Sequence, residues 1–128
     1  MCFMNKEFRV IIAGSRFYSD YEKLRSFCDR LLSRKLADPE CRVIVISGGA
    51  PGADSLGERY AVERGLAIER FPADWDNFGK AAGPIRNKQM ASVADALIAF
   101  PMEGLQNLGT RNMVNVAKQH GILIRVVR

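Results

Sequence analysis

The chain is poor in the residues that build metal centres and disulfide frameworks. Among its 128 residues are one histidine, His120, and three cysteines, Cys2, Cys28 and Cys41, with no C-x-x-C pair. An odd set of thiols without close spacing or a histidine cluster argues against both a disulfide scaffold and a zinc site, and no metal is expected. His120 precedes Gly121 where a helix is expected to stop, so it reads as a cation near the last helical carbonyls. Long hydrophobic runs are missing as well. The longest, Val10–Gly14 and Val43–Ile46, fall far short of the roughly 20 residues that cross a bilayer. The first residues, MCFMNKEFRV, have neither the apolar stretch nor the small-residue cleavage site of a secretory signal, which points to a cytoplasmic protein without membrane contact. Neither GxxxxGK[ST] nor GxGxxG occurs, which argues against a P-loop triphosphatase and an NAD dehydrogenase. The sequence has no internal repeat and no low-complexity tract.

What is present is the composition of a globular chain: 48% apolar and 26% charged residues, in a length that suits one domain spanning 1–128. The net charge of +5, from 19 basic and 14 acidic residues, is compatible with anionic ligands, whether nucleotides or nucleic acid. Short β-branched runs at Phe8–Ala13, Arg42–Ser47, Ala67–Phe71, Ala96–Phe100 and Ile122–Val127 predict five strands. Helical periodicity lies between them. The spacing S-x-x-E at Ser19–Glu22 and again at Ser55–Glu58 predicts two capped helix starts, the first helix running to Asp38-Pro39 and the second to Gly65. Pro84 is expected to open a further short helix, and another runs to about Gln119. The segment Pro72–Gly83 predicts an irregular loop. Strands alternating with helices define an α/β fold, because parallel neighbours need crossovers. We expect a Rossmann-like five-stranded, mainly parallel sheet ordered 3-2-1-4-5, with a crevice where the winding reverses between strands one and four.

That topology brings the loops after strands one, two and four to one edge, and those are the unusual loops of this sequence. They are Gly14-Ser15-Arg16, then Gly48-Gly49-Ala50-Pro51-Gly52-Ala53-Asp54, then Gly104–Thr110 with Gly109 and Thr110 at its end. The last two lead into helix N-termini, where free N–H groups and the helix dipole favour phosphate, and the expectation is of one anion shared between the amides after Gly49 and after Gly109. Arg16 and Arg86 offer planar guanidinium groups for that anion. Asp54 is read either as a helix cap or as an acceptor for ribose hydroxyls, and Ser15 and Thr110 as caps or phosphate contacts. The stretch Asp74–Asn87 has the composition of a ligand lid: Trp75 or Phe78 for a base or for anchoring the loop, and Lys80 and Arg86 for phosphate, with Asn87 beside them. The basic residues Lys23, Arg25, Arg30, Arg34 and Lys35 of the first helix read as a solvated face.

The strings ISGGAPGADSLGERYA, WDNFGKAAGPIRNKQM and ADALIAFPMEGLQNLGTRNM resemble the YspA-type branch of the SLOG superfamily. That superfamily unites the DNA-processing protein Smf with the Lonely Guy phosphoribohydrolases. The resemblance implies a Rossmann-like fold and a nucleotide or nucleotide-derived ligand, admits a homodimer, names no cofactor and fixes no reaction. Arg86-Asn87-Lys88-Gln89-Met90 matches the Arg-Lys-x-x-Met segment of Lonely Guy enzymes. Their Pro-Gly-Gly-x-Gly-Thr-x-x-Glu segment is altered here, with Met113 at the position of the glutamate. Methionine cannot move a proton, so a hydrolase of this sequence would need another carboxylate. Arg86 and Asp54 are the catalytic candidates, with Glu58 and Glu103 as alternative acids. Three readings follow in order: a sensor or pathway component that binds a nucleotide or ribosyl phosphate, a nucleotide-processing hydrolase, and a nucleic-acid-binding module.

Overall fold

The structure is a computed structural model that describes residues 6–104 and 107–128. Its sheet is parallel throughout, in the order β3-β2-β1-β4-β5, with β1 at Lys6–Gly14, β2 at Cys41–Ser47, β3 at Ala67–Arg70, β4 at Ala96–Phe100 and β5 at Leu123–Val126. The central strand β1 pairs with β2 from Lys6↔Cys41 to Ile11↔Ile46, and with β4 from Val10↔Ala96 to Gly14↔Phe100. Its neighbours on the two sides come from opposite halves of the chain. The winding therefore reverses beside β1, as the order of runs along the sequence predicts.

β1 and β2 are apolar without alternation because both faces of the sheet are covered. Val10, Ile12, Val43 and Val45 pack with Leu24 and Cys28 of α1 (Tyr21–Leu31) and with Tyr60 and Ala61 of α3 (Ala53–Glu63). Ile11, Ala13 and Ile46 pack on the other face with Met90 and Ala91 of α5 (Ala82–Val93) and with Met113, Val116 and Ala117 of α6 (Leu108–His120). Burial also settles two thiols. Desolvation pushes the Cys28 thiol up to about 12, so it is inert at neutral pH, and Cys41 is half-buried and free. Cys2 lies outside the described residues.

Several local expectations are corrected. The first helix is capped by Asp20, whose carboxylate accepts the Lys23 amide at 3.1 Å, and not by Ser19; a negative side chain complements the helix dipole better than a hydroxyl. That helix also breaks at Leu32, whose side chain is buried, and resumes as α2 (Ser33–Ala37). α3 begins at Ala53, two residues ahead of the Ser55 spacing, because the Ala53 amide is held by Ser15 O at 3.0 Å, which sets the start of the helix. Glu58, expected to reach back to a cap, instead receives the Ser47 hydroxyl at 2.6 Å and Arg70. Finally, Pro72–Gly83 is more ordered than its composition predicts: Asp74 accepts the Asn77 amide at 3.2 Å and caps a short helix α4 (Trp75–Phe78), a 3-10 turn follows at Gly79–Ala81, and α5 starts at Ala82. Pro84 thus falls inside the first turn of α5, where its missing N–H has no helical acceptor to satisfy. At the other end, α6 closes on Gly121 in the left-handed region, with His120 Nδ1 3.0 Å from Val116 O. Among the described residues, no helix is long and apolar enough to cross a membrane.

Candidate functional site

A cavity of about 660 Å³ opens over the carboxyl end of β1, whose last residue Gly14 pairs with Phe100 of β4, at the switch point. The end of β1 and the loop after it supply Gly14, Ser15, Arg16 and Phe17; α3 and the loop before it supply Asp54 and Ala50. Trp75 comes from α4, and Arg86, Asn87 and Met90 from α5. The first turns of α6 supply Leu108, Gly109, Thr110, Asn112 and Met113. Of the residues singled out in the sequence, Gly14, Ser15, Arg16, Asp54, Trp75, Arg86, Asn87, Gly109 and Thr110 meet in this one space. Gly48, Gly49, Gly52 and Lys80 do not line it.

The β2–α3 loop is closed upon itself. The Gly49 amide donates to Ser47 Oγ at 3.0 Å and the Ala50 amide to Asp54 Oδ2 at 3.2 Å, so neither awaits an anion. The glycines here serve close packing. Gly52, at φ +79°, lies against the backbone carbonyls of Ser15 and Arg16, where any side chain would collide, and this contact holds the β1–α1 and β2–α3 loops together. At Gly48, a Cβ would meet the Arg86 guanidinium and stand 2.8 Å from Asp54 Oδ2. The expected sharing of an anion between two backbone cradles is therefore reduced to one cradle.

That cradle is the N-terminus of α6. Asn107 occupies the cap position in the left-handed region with its side chain bonded to Met102, and among the described residues the first α6 amide with a backbone acceptor is that of Arg111, on Asn107 O at 2.8 Å. The amides of Leu108, Gly109 and Thr110 precede it, at the positive end of a 13-residue helix. Thr110 is 7% exposed, and its hydroxyl makes no hydrogen bond among the described residues.

Arg86 is held in place rather than free to roam. Its Nη1 donates to Gly48 O at 2.6 Å and its Nε to Asn87 Oδ1 at 3.0 Å, while Asn87 Nδ2 donates to Asn112 Oδ1 at 2.8 Å. One chain of hydrogen bonds thus ties the β2–α3 loop to α5 and α6, and Asn112, which no motif marks, completes it. Asp54 is 6% exposed. Desolvation pushes its carboxyl up to about 6, against the lowering effects of the Ala50 amide and the nearby Arg86 charge. It stands as the second residue of α3 and not as its cap, and its Oδ1 makes no hydrogen bond among the described residues. Glu58 is the opposite case: burial works to raise it, but the Ser47 hydroxyl and Arg70 outweigh burial and hold it below the usual carboxylate range. It lies outside the cavity lining, as does the exposed Glu103. Sequence reasoning missed Phe17, Leu108 and Asn112. An aromatic residue directly after Arg16 in a strand-to-helix loop was a readable signal for the first of these.

A parallel sheet wound both ways from β1, with a cavity at the reversal, defines a Rossmann-like fold with its cavity at the switch point. The sequence profile of the YspA, cpYpsA-related SLOG family matches residues 8–78. A relative, the gene 61 protein of Mycobacterium phage D29, is 35% identical over 120 residues, covering 89% of this chain and 91% of the phage protein. The chain belongs to the YspA, cpYpsA-related SLOG family. Among solved structures, DNA processing protein A (DprA) from Streptococcus pneumoniae is similar with a TM-score of 0.68 and 16% identity, over 98% of this chain and 51% of its own. The chain thus spans about half the length of that protein. TM1055, a structural-genomics target, is similar with a TM-score of 0.61 and 20% identity, over 93% of this chain and 72% of its own. At these identities the two structures bear on the fold.

Proposed function

We propose that this chain binds a nucleotide or a nucleotide-derived ribosyl phosphate in the switch-point cavity, as a sensor or a component of a pathway. The observation that carries the reading is the α6 N-terminus: Leu108, Gly109 and Thr110, whose amides find no acceptor among the described residues, and the buried Thr110 hydroxyl, likewise unbonded among them, line the same cavity as an anchored Arg86. Such an end attracts anions. Asp54, with Oδ1 unbonded among the described residues, suits a sugar hydroxyl. The volume of about 660 Å³ lies within the usual range for small-molecule sites.

Calorimetric titration with ribose 5-phosphate, nucleoside monophosphates and ADP-ribose tests the reading. Saturable binding is expected, weakened about 10- to 100-fold in Arg86→Ala, as follows from the roughly 1.5–3 kcal/mol of a hydrogen bond to a charged group. Absence of binding to every ligand at millimolar concentration overturns it.

A second reading, hydrolysis of a nucleotide at an N-glycosidic or phosphate bond, is favoured by Asp54, the carboxylate of the cavity lining, whose ionisation falls near neutrality. It replaces the acid that Met113 lacks. Released base or phosphate from candidate nucleotides, lost in Asp54→Asn while ligand still binds, distinguishes turnover from binding. The name of the streptococcal structural neighbour, a DNA processing protein, motivates the third reading, a nucleic-acid-binding module. Its mark is a steep loss of affinity with rising salt, which a pocket ligand would not show to the same degree.

A further inference from the structure

Large apolar side chains stand exposed at the mouth of the cavity. Phe17, Trp75 and Leu108 are 65%, 59% and 66% exposed, and all three line it. They come from separate places, the β1–α1 loop, α4 and the first residue of α6, so their meeting is a property of the fold and not of one amphipathic segment. Exposed aromatic rings converging on one opening mark a place that a ligand covers. Phe78, exposed on the same short helix as Trp75, does not line the cavity.

Both rings are positioned. The Phe17 amide donates to Ser15 Oγ at 3.1 Å, and the Arg16 guanidinium lies over the Phe17 ring, 5.7 Å from its centroid. The indole of Trp75 extends over Gly83, where an added Cβ would already touch the ring edge at 3.5 Å. Of the nearby amide side chains, Asn87 and Asn107 are engaged at both amide atoms and Asn112 through its Oδ1. Asn107 donates to Met102 O and accepts from the Met102 amide, at 2.8 and 3.1 Å, while Asn87 and Asn112 are bonded to each other. We infer that Phe17 and Trp75 form an aromatic clasp that holds a planar heteroaromatic ring of the ligand by stacking, and that this site discriminates by the ring's area more than by its hydrogen-bonding edge. The inference rests on the proposed binding of a nucleotide and names the part of the ligand that discriminates.

The test compares AMP, GMP, CMP, ribose 5-phosphate and adenosine by calorimetry and by the fluorescence of Trp75, the single tryptophan of the chain. Stacking predicts that AMP and GMP bind within about threefold of each other, both more tightly than CMP, and all more tightly than ribose 5-phosphate, AMP by about tenfold or more. Trp75 emission is quenched by the nucleotides and unmoved by ribose 5-phosphate. Phe17→Ala and Trp75→Ala each erase most of the AMP advantage and leave ribose 5-phosphate affinity unchanged, whereas Trp75→Phe keeps it. Both side chains are exposed, so the variants are expected to fold, with far-UV circular dichroism as the check. Equal affinity for AMP and ribose 5-phosphate overturns the clasp and leaves the phosphate site standing. The clasp is overturned in the same way if the advantage survives in both alanine variants, or if AMP and GMP differ more than tenfold. Adenosine binding with quenching, in the absence of any ribose 5-phosphate binding, keeps the clasp and overturns the phosphate site. No binding by any of the five overturns both.

Discussion

Asp54 ionises near pH 6 in the folded chain and near its ordinary 3.8 in the unfolded one, because burial removes the water that would solvate the carboxylate. Between these values the unfolded state has lost its proton and the folded state keeps it, so stability falls as pH rises from about 4 to about 6, and the full penalty persists above that. Asp54→Asn keeps an acceptor for the Ala50 amide and removes the charge. The variant is expected to exceed the parent chain in stability by about 1–3 kcal/mol at pH 8 and by much less at pH 4.5, measured by urea unfolding. A difference independent of pH refutes this assignment. Gly48 poses a steric question at the same spot. Gly48→Ala places a methyl where the Arg86 guanidinium passes and 2.8 Å from Asp54 Oδ2; the expected result is a displaced arginine, ligand affinity lowered toward that of Arg86→Ala, and a loss of stability of about 1–3 kcal/mol, since the arginine gives up its bond to Gly48 O and the buried carboxylate must shift. The sequence marked Asp54, Gly48 and Arg86 as residues of interest, but their mutual contact spans 38 positions between Gly48 and Arg86 and is invisible in any local pattern.

Among the elements, α3 and α6 divide the roles that the sequence assigns jointly to two glycine-rich loops. Both begin after such loops, yet the amides ahead of α3 are bonded to Ser47 and Asp54, whereas Leu108, Gly109 and Thr110 of α6 line the cavity with amides that find no acceptor among the described residues. The difference lies in what each loop packs against. α3 is drawn onto the sheet by Gly57, where a Cβ would stand 2.7 Å from Ile12 Cγ2 in the buried centre of β1. Gly57→Ala forces this helix outward and is expected to cost about 1–3 kcal/mol in chemical denaturation, while α6 and its anion site are left intact. Because Asp54 rides on α3, nucleotide affinity is expected to weaken, and loss of inorganic phosphate binding by a folded Gly57→Ala protein would contradict the division. The S-x-x-E spacings illustrate how element boundaries escape a local reading. Asp20 takes the cap beside Ser19, and a loop contact starts α3 two residues before Ser55. Existence and order of the sheet-covering helices α1, α3, α5 and α6 were nevertheless plain, because their apolar spacing is imposed by the sheet they cover, whereas the short α2 and α4 were not.

At the scale of the molecule, a ligand held between the β1–α1 loop, α5 and α6 bridges the two sides of the winding reversal, so it should stabilise the whole chain by linkage. A ligand present at about 100 times its Kd raises the unfolding free energy by roughly 2.7 kcal/mol, which thermal denaturation reads as a higher Tm for the parent chain and a much smaller shift for Arg86→Ala at the same concentration. An equal shift in both would place the ligand elsewhere. The amino-acid sequence by itself determined the α/β fold, the strand order and the loops that gather at one edge, because β-branched runs buried on both faces and right-handed crossovers leave few arrangements open. It also carried enough of its motifs to show the family resemblance. Only the tertiary structure decided which glycine loop keeps its amides open, that Arg86 is anchored to Gly48, that Asp54 is buried, and that Phe17 shares a cavity mouth with Trp75. Each of these depends on distances between residues far apart along the chain, and on the water excluded between them, and local residue patterns encode neither.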